Sequence, residues 1–248
     1  MSLVRFSQGS QLVFGDTMDT PHSVQIPALR TSGVRKCVNC LIGLTVLGMV
    51  GVVAGRALFG RDNLLGLSQR FDPRFEGTVH AWLGSLLLGV CAAALAVIAS
   101  DERTTQFRKQ WWVLSLGFLF LSADELLQMH EGLSKVTKAI FGSGSAPHLW
   151  ALIGLVGAAG LFVAYLPFLR HLSPHFRKRF ILAGAVYLGG AIGFELLGAV
   201  YGTLVRPNDR YYVSLAVIEE TLELVGCGMF LMALLEYIGA RQAEGARG

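Results

Sequence analysis

The sequence predicts an all-α, polytopic membrane protein, a helical bundle of about six transmembrane helices. Mean hydropathy is +0.53. Only 15% of the 248 residues are charged, against 53% that are hydrophobic. Several apolar runs approach the ~20 residues that a helix needs to cross hydrocarbon. The formal charge of +4 taken alone suits nucleic acid, but the basic residues are scattered among short loops instead of forming one stripe. They read as topology signals, which makes membrane lipid the expected partner and nucleic acid not one. The 30 glycines suit close helix packing in lipid, where small residues let backbones approach.

Residues 1–36 are polar and mixed, with Asp16, Asp19, Pro21 and Pro27, and lack an apolar run long enough for a signal peptide. They read as a flexible cytoplasmic tail. Residues 37–240 form the six-span domain and residues 241–248 a short cytoplasmic tail. The spans fall at about 38–57, 77–99, 111–131, 148–169, 180–204 and 212–238. The loops between them are marked by Asp72, Pro73 and Arg74, by Arg103, Arg108 and Lys109, by the GSGSAP run, and by Arg170 with Arg177 to Arg179. With the N-terminus inside, 13 of the 21 Lys and Arg lie in inner segments. This places both termini in the cytoplasm. Cys37 and Cys40 form a lone CxxC at the start of span one, read as small interface residues. Cys91 and Cys227, inside spans, read as packing residues. Trp111, Trp112 and Trp150 read as interfacial anchors.

Span three opens as a membrane helix and ends in Ser122, Asp124, Glu125, Gln128, His130 and Glu131. At about 100° per residue, Asp124 and Glu131 share one face and Gln128 lies close to it, with Glu125 and His130 flanking opposite sides. A charge at membrane depth costs a few kcal/mol, so such groups face a bundle interior and pair with something. Span five carries Glu195 along the small residues Ala191, Gly198, Ala199 and Gly202. Span six carries Glu219, Glu220 and Glu223 within about 100° of arc. Glu76 and His80 stand at the entrance of span two, and His148 begins span four. In the predicted topology five helices deliver acids and histidines to one outer half.

Seven carboxylates in these stretches have no Lys or Arg among them in the helices. Protonation, bound cations, or basic side chains reaching in from the loops (Arg74, Lys135, Arg206, Arg210) would each neutralise them. The residue types suit a divalent transition metal (iron, manganese, zinc or copper) drawing on Asp124, Glu125, His130, Glu131, Glu195, Glu219, Glu220, Glu223, Glu76 and His80. No Glu-x-x-His occurs, which departs from the di-iron bundle pattern. His171 and His175 read as solvated.

FLSADELLQMHE, the Glu76 to Thr78 segment, GAIGFELLG and IEETLELVG together resemble a group of bacterial multi-pass membrane proteins with LS-x-DE-x-x-x-x-HE and EE-x-x-E-x-x-G patterns. The resemblance covers roughly residues 60–240 and implies a shared fold and polar site. That group has no established activity, so it supplies no reaction. The acid and histidine mixture points first to a metal-dependent membrane enzyme acting on a lipid or small apolar substrate, its catalytic residues unassigned. The alternatives are a proton- or cation-coupled transporter, or a structural or assembly subunit working with a membrane-protein partner or as a homo-oligomer. Against transport, the six spans show neither an inverted repeat nor an obvious broken helix.

Overall fold

A computed structural model describes residues 31–59, 68–75, 77–101, 103–127, 129, 146–205 and 210–246. The regular structure of these residues is helical throughout: α1 (Thr31–Phe59), α2 (Ser68–Phe71), α3 (Val79–Ser100), α4 (Arg108–Leu127), α5 (Ala146–Ala164), α6 (Leu166–His171), α7 (Pro174–Leu188), α8 (Glu195–Leu204) and α9 (Arg210–Gly245). A six-residue π-helical turn, Gly189–Phe194, joins α7 to α8.

The long helices run alternately between two ends of the bundle. At one end, the basal end, the start of α1 meets the close of α9 through Arg35 and Glu236. The Tyr165 hydroxyl, just after α5, donates to the Gln110 carbonyl at the start of α4 (3.1 Å). At the far end the start of α3 meets α9 through His80 and Glu220.

Among the described residues four helical stretches are long and apolar enough to cross a membrane: Ser32–Gly55, Val79–Ser100, Pro174–Gly202 and Tyr211–Gly245. They match the expected spans one, two, five and six. The helix expected as span three, α4, closes on Asp124 and Glu125, which dilute its apolar stretch. In the expected span four the apolar helical run is shorter, Ile153–Ala164. Large apolar side chains including Leu47, Leu86, Leu116, Phe120, Val156 and Leu182 are exposed, the outward face that lipid would cover.

The core is built around α9, which packs on α1, α3, α7, the π-turn and α8. Met49, Leu88, Leu95, Leu224 and Leu234 are buried there. Its basal part is aromatic: Phe118 stacks on Phe230 with centroids 4.8 Å apart, and Trp111 meets Phe168 edge-on at 4.8 Å. Trp111 therefore packs into the core, at 2% exposure, and is not a headgroup anchor. Its neighbour Trp112 is exposed. Antiparallel α3 and α4 form a tight hairpin. Ser85 Oγ donates to the Ser122 carbonyl and Ser122 Oγ to the Ser85 carbonyl, each at 2.8 Å. Ser115 Oγ donates to the Ala92 carbonyl at 2.8 Å. Small hydroxyl residues pull the two backbones together here because each hydroxyl finds a carbonyl on the facing helix.

Candidate functional site: a glutamate cluster at the far end of the bundle

Glu219, Glu220 and Glu223 are presented by α9 where it crosses the segment that ends α7. Glycine makes that crossing close. A Cβ at Gly190 would stand 2.7 Å from the Glu219 carbonyl oxygen and 3.1 Å from Glu223 Cγ. A Cβ at Gly226 would stand 2.6 Å from the Tyr187 amide nitrogen. Any larger residue at either position would force the helices apart, and the carboxylates with them. At Gly202 of α8 a Cβ would meet the Tyr212 ring at 3.4 Å, an ordinary van der Waals contact. The small-residue face expected around Glu195 does lie against α9 at this position.

The π-turn sets the position of Glu195. Its amide N–H donates to the carbonyl of Gly190, five residues back, and to that of Ile192. Wider hydrogen-bonded rings of this kind occur in helices mostly as single turns, and often at functional sites. The helix carrying Glu195 is thus interrupted immediately before it, an irregularity that the sequence reading did not detect.

The carboxylates converge. Glu223 is close enough for its charge to interact with those of Glu220, Glu125, Glu219 and Glu195. Glu219 interacts with Glu195 and Glu125, and Glu220 with Glu125 and Glu219. Acids from α4, α8 and α9 therefore share one region. The Tyr187 phenol lies within electrostatic reach of Glu223, Glu125 and Glu220. His80 closes the α3 side: its Nε2 lies 3.1 Å from Thr78 Oγ1 and 3.5 Å from Glu220 Oε1. Its Nδ1 has no hydrogen-bond partner among the described residues. Above His80, buried Asp72 accepts from Arg74 Nε at 2.9 Å. Arg74, one of the loop cations that could have reached the acids, thus binds Asp72.

α4 delivers Glu125 to this region. Its Oε1 would lie 3.3 Å from a Cβ at Gly84 of α3. Helix periodicity put Asp124 on the shared face and Glu125 beside it. The angles between α4 residues follow from its sequence, but the rotation of the helix about its own axis is set by the Ser115 and Ser122 contacts with α3, which share a stripe with Glu125. Asp124 is half-buried. Glu76, His130 and Glu131 lie outside the described residues, as do Gln128, Lys135 and Arg206; His148 lies in α5. Among the described residues no group of three or more His, Cys, Asp or Glu side chains is arranged to hold a metal ion. Cys37 and Cys40 are free and exposed, Cys91 and Cys227 free and buried, and Cys91 Sγ rests 3.8 Å from the Cys227 carbonyl. Tyr187, Gly190 and Gly226 are site residues that the sequence reading passed over. Their signal is weak: an aromatic and two glycines in helices already rich in both.

Membrane-like helices around a shared set of glutamates define the class, a helical protein of membrane type with a polar interior at one end. No curated protein and no solved structure matches the chain. The chain belongs to the family described as a domain of unknown function (DUF8692), whose model matches residues 41–237 and so covers the helices that carry the cluster.

Proposed function

We propose that this is a six-span membrane protein, both termini cytoplasmic, whose glutamate cluster exchanges cations as part of proton- or cation-coupled transport. The observation that carries this reading is the π-helical interruption. A π-turn inside a membrane-length helix, followed directly by an acid and packed on a second helix through glycine, is the kind of irregularity that accompanies functional sites, and transporters draw coupling-ion ligands from irregular helical segments. Carboxylates drawn from three helices carry more negative charge than a low-dielectric interior tolerates, so each entering cation or proton relieves repulsion among the rest. A site of this kind alternates between loaded and empty states with little change in its surroundings. The arm to test is flux. Purified protein is placed in liposomes containing a pH-sensitive dye, and sodium, potassium or manganese is added outside. Wild type should move protons in response to at least one of these cations and Glu223→Gln should not. Wild-type liposomes indistinguishable from empty ones with all three would refute coupling.

A second reading has its own observation. The His80 imidazole beside Glu220 adds a nitrogen donor to the oxygen donors, a combination that suits iron, zinc or manganese. It would make the chain a metal-dependent membrane enzyme acting on a lipid or small apolar substrate. Elemental analysis of protein purified without chelator separates the two, since stoichiometric metal lost in His80→Gln supports only the second.

A further inference from the structure

We propose that Glu236 is the latch of a gate at the basal end, holding α7 against α9, with the π-turn as the hinge on which α7 swings. One carboxylate serves two helices. Its Oε1 accepts from Arg35 Nη2 of α1 at 2.6 Å, and its Oε2 accepts from Arg179 Nη1 of α7. Neutralising this single side chain releases α1 and α7 from α9 together. Glu236 lies 13 residues beyond Glu223, about 20 Å along the helix, so the latch and the glutamate cluster occupy opposite halves of the bundle.

Between latch and hinge, α7 meets α9 through apolar and small groups. Phe180 packs on Phe230 with centroids 5.1 Å apart, Ala183 is fully buried, and the Tyr187 backbone rests on Gly226. Such a surface separates without leaving a charge behind. The π-turn holds Gly189, Gly190 and Gly193, and at Gly189 and Gly193 nothing lies within 4 Å of a Cβ position. Sharp helix bends concentrate at turns of this type. Arg35 is exposed while Arg179 and Glu236 are half-buried, and ion pairs open to solvent are individually weak, which suits a latch that must open. Swinging α7 outward lifts Tyr187 from Gly226 and uncovers the adjoining Cys227, and beyond it Glu223. What passes through the opening rests on the cation-exchange reading; the motion itself does not.

Cys227 reports the motion, being 3% exposed in the closed bundle. In a background of Cys37→Ser, Cys40→Ser and Cys91→Ala, the rate of N-ethylmaleimide modification is measured in liposomes without added transition metal. Glu236→Gln should raise that rate about tenfold, the shift in a local opening equilibrium that loss of two solvent-accessible ion pairs brings. Arg179→Gln, which frees α7 alone, should raise it too, and the charge exchange Arg35→Glu and Arg179→Glu with Glu236→Arg, which restores both pairs, should return it toward the parent. A parent-like rate in folded Glu236→Gln and Arg179→Gln would overturn the latch. So would an equal rise in Ser85→Ala, whose lesion is remote from α7, because the thiol would then be reporting general loosening. Flux can fail with the gate intact, and the gate can fail with flux intact, so the two readings are judged separately.

Discussion

Gly226→Ala tests the crossing on which the cluster depends. The added methyl would stand 2.6 Å from the Tyr187 amide nitrogen and 2.8 Å from its Cα. Both are backbone atoms of a packed helix, so no rotamer change relieves the clash. Carbon atoms rest at about 3.5–4.0 Å, so α7 must retreat by roughly an ångström or α9 must bend. Overpacking of this kind costs about 1–3 kcal/mol. The same substitution at Gly239, further along α9 and with nothing within 4 Å, meets no obstacle and gains up to about 1 kcal/mol of helix propensity. Gly226→Ala gains the same propensity, so the two variants should differ by the overpacking cost alone, about 1–3 kcal/mol, a factor of roughly 5–150 in the unfolding equilibrium. Unfolding in mixed micelles by titration with dodecyl sulfate, followed by the fluorescence of buried Trp111, measures the difference. If Gly226→Ala and Gly239→Ala unfold at the same detergent fraction, α7 and α9 do not touch at Tyr187 and the close crossing is wrong.

Two further outcomes follow from contacts elsewhere. Ser85→Ala and Ser122→Ala should each destabilise the α3–α4 hairpin by about 1 kcal/mol. Because the two hydroxyls lie 3.1 Å apart, the double variant should cost less than the sum; parent-like unfolding of both single variants would remove these bonds from the account. At Asp101, just past α3, burial pushes the carboxyl up, but hydrogen bonds from the Arg103 side chain and backbone outweigh it and hold the group below its ordinary value of 3.8. A lowered folded-state value means stabilisation that is fully present above the ordinary value and lost as pH falls through the folded one. Wild type should thus exceed Asp101→Asn in stability by a constant margin at neutral pH, and the margin should shrink below about pH 4. A margin unchanged down to pH 3 would mean that Arg103 does not hold the ionised carboxylate.

The apolar runs and the acids inside them were legible because each is a local property. A stretch such as residues 79–100 declares itself by composition, and Glu219, Glu220 and Glu223 share an arc wherever α9 points. What escaped depends on partners distant in the chain. That Glu125, which helix periodicity sets beside the shared face, comes within electrostatic reach of α9 needed the rotation of α4, which the Ser85 and Ser122 pairing sets from α3. Trp111 looked like an anchor because tryptophan before an apolar run usually is one. Phe168, Phe180 and Tyr237, from three later stretches, draw it inward. Glu236 gave no signal at all, since its partners lie 201 and 57 residues away. The glycines at 189, 190 and 193 permitted an irregular turn without requiring one. The contact of Gly190 with α9 is long-range, and it is there that the widened turn is held.

The widened turn makes the phase of α8 a matter of counting. Its wider ring takes in one residue more than an α-helical ring does, and each residue turns a helix by about 100°. Excising one residue between Leu188 and Glu195 would let the backbone close into an unbroken α-helix. Every side chain beyond it would keep nearly its present angle about the axis, because the wide turn absorbs the extra residue. The same deletion in the α-helical part of α7, with no wide turn to take it up, would rotate them by about 100° and carry Glu195 away from Glu223 although no atom of either glutamate had been altered. The widened turn is therefore a place where a one-codon deletion is a milder event than the same deletion a few residues earlier.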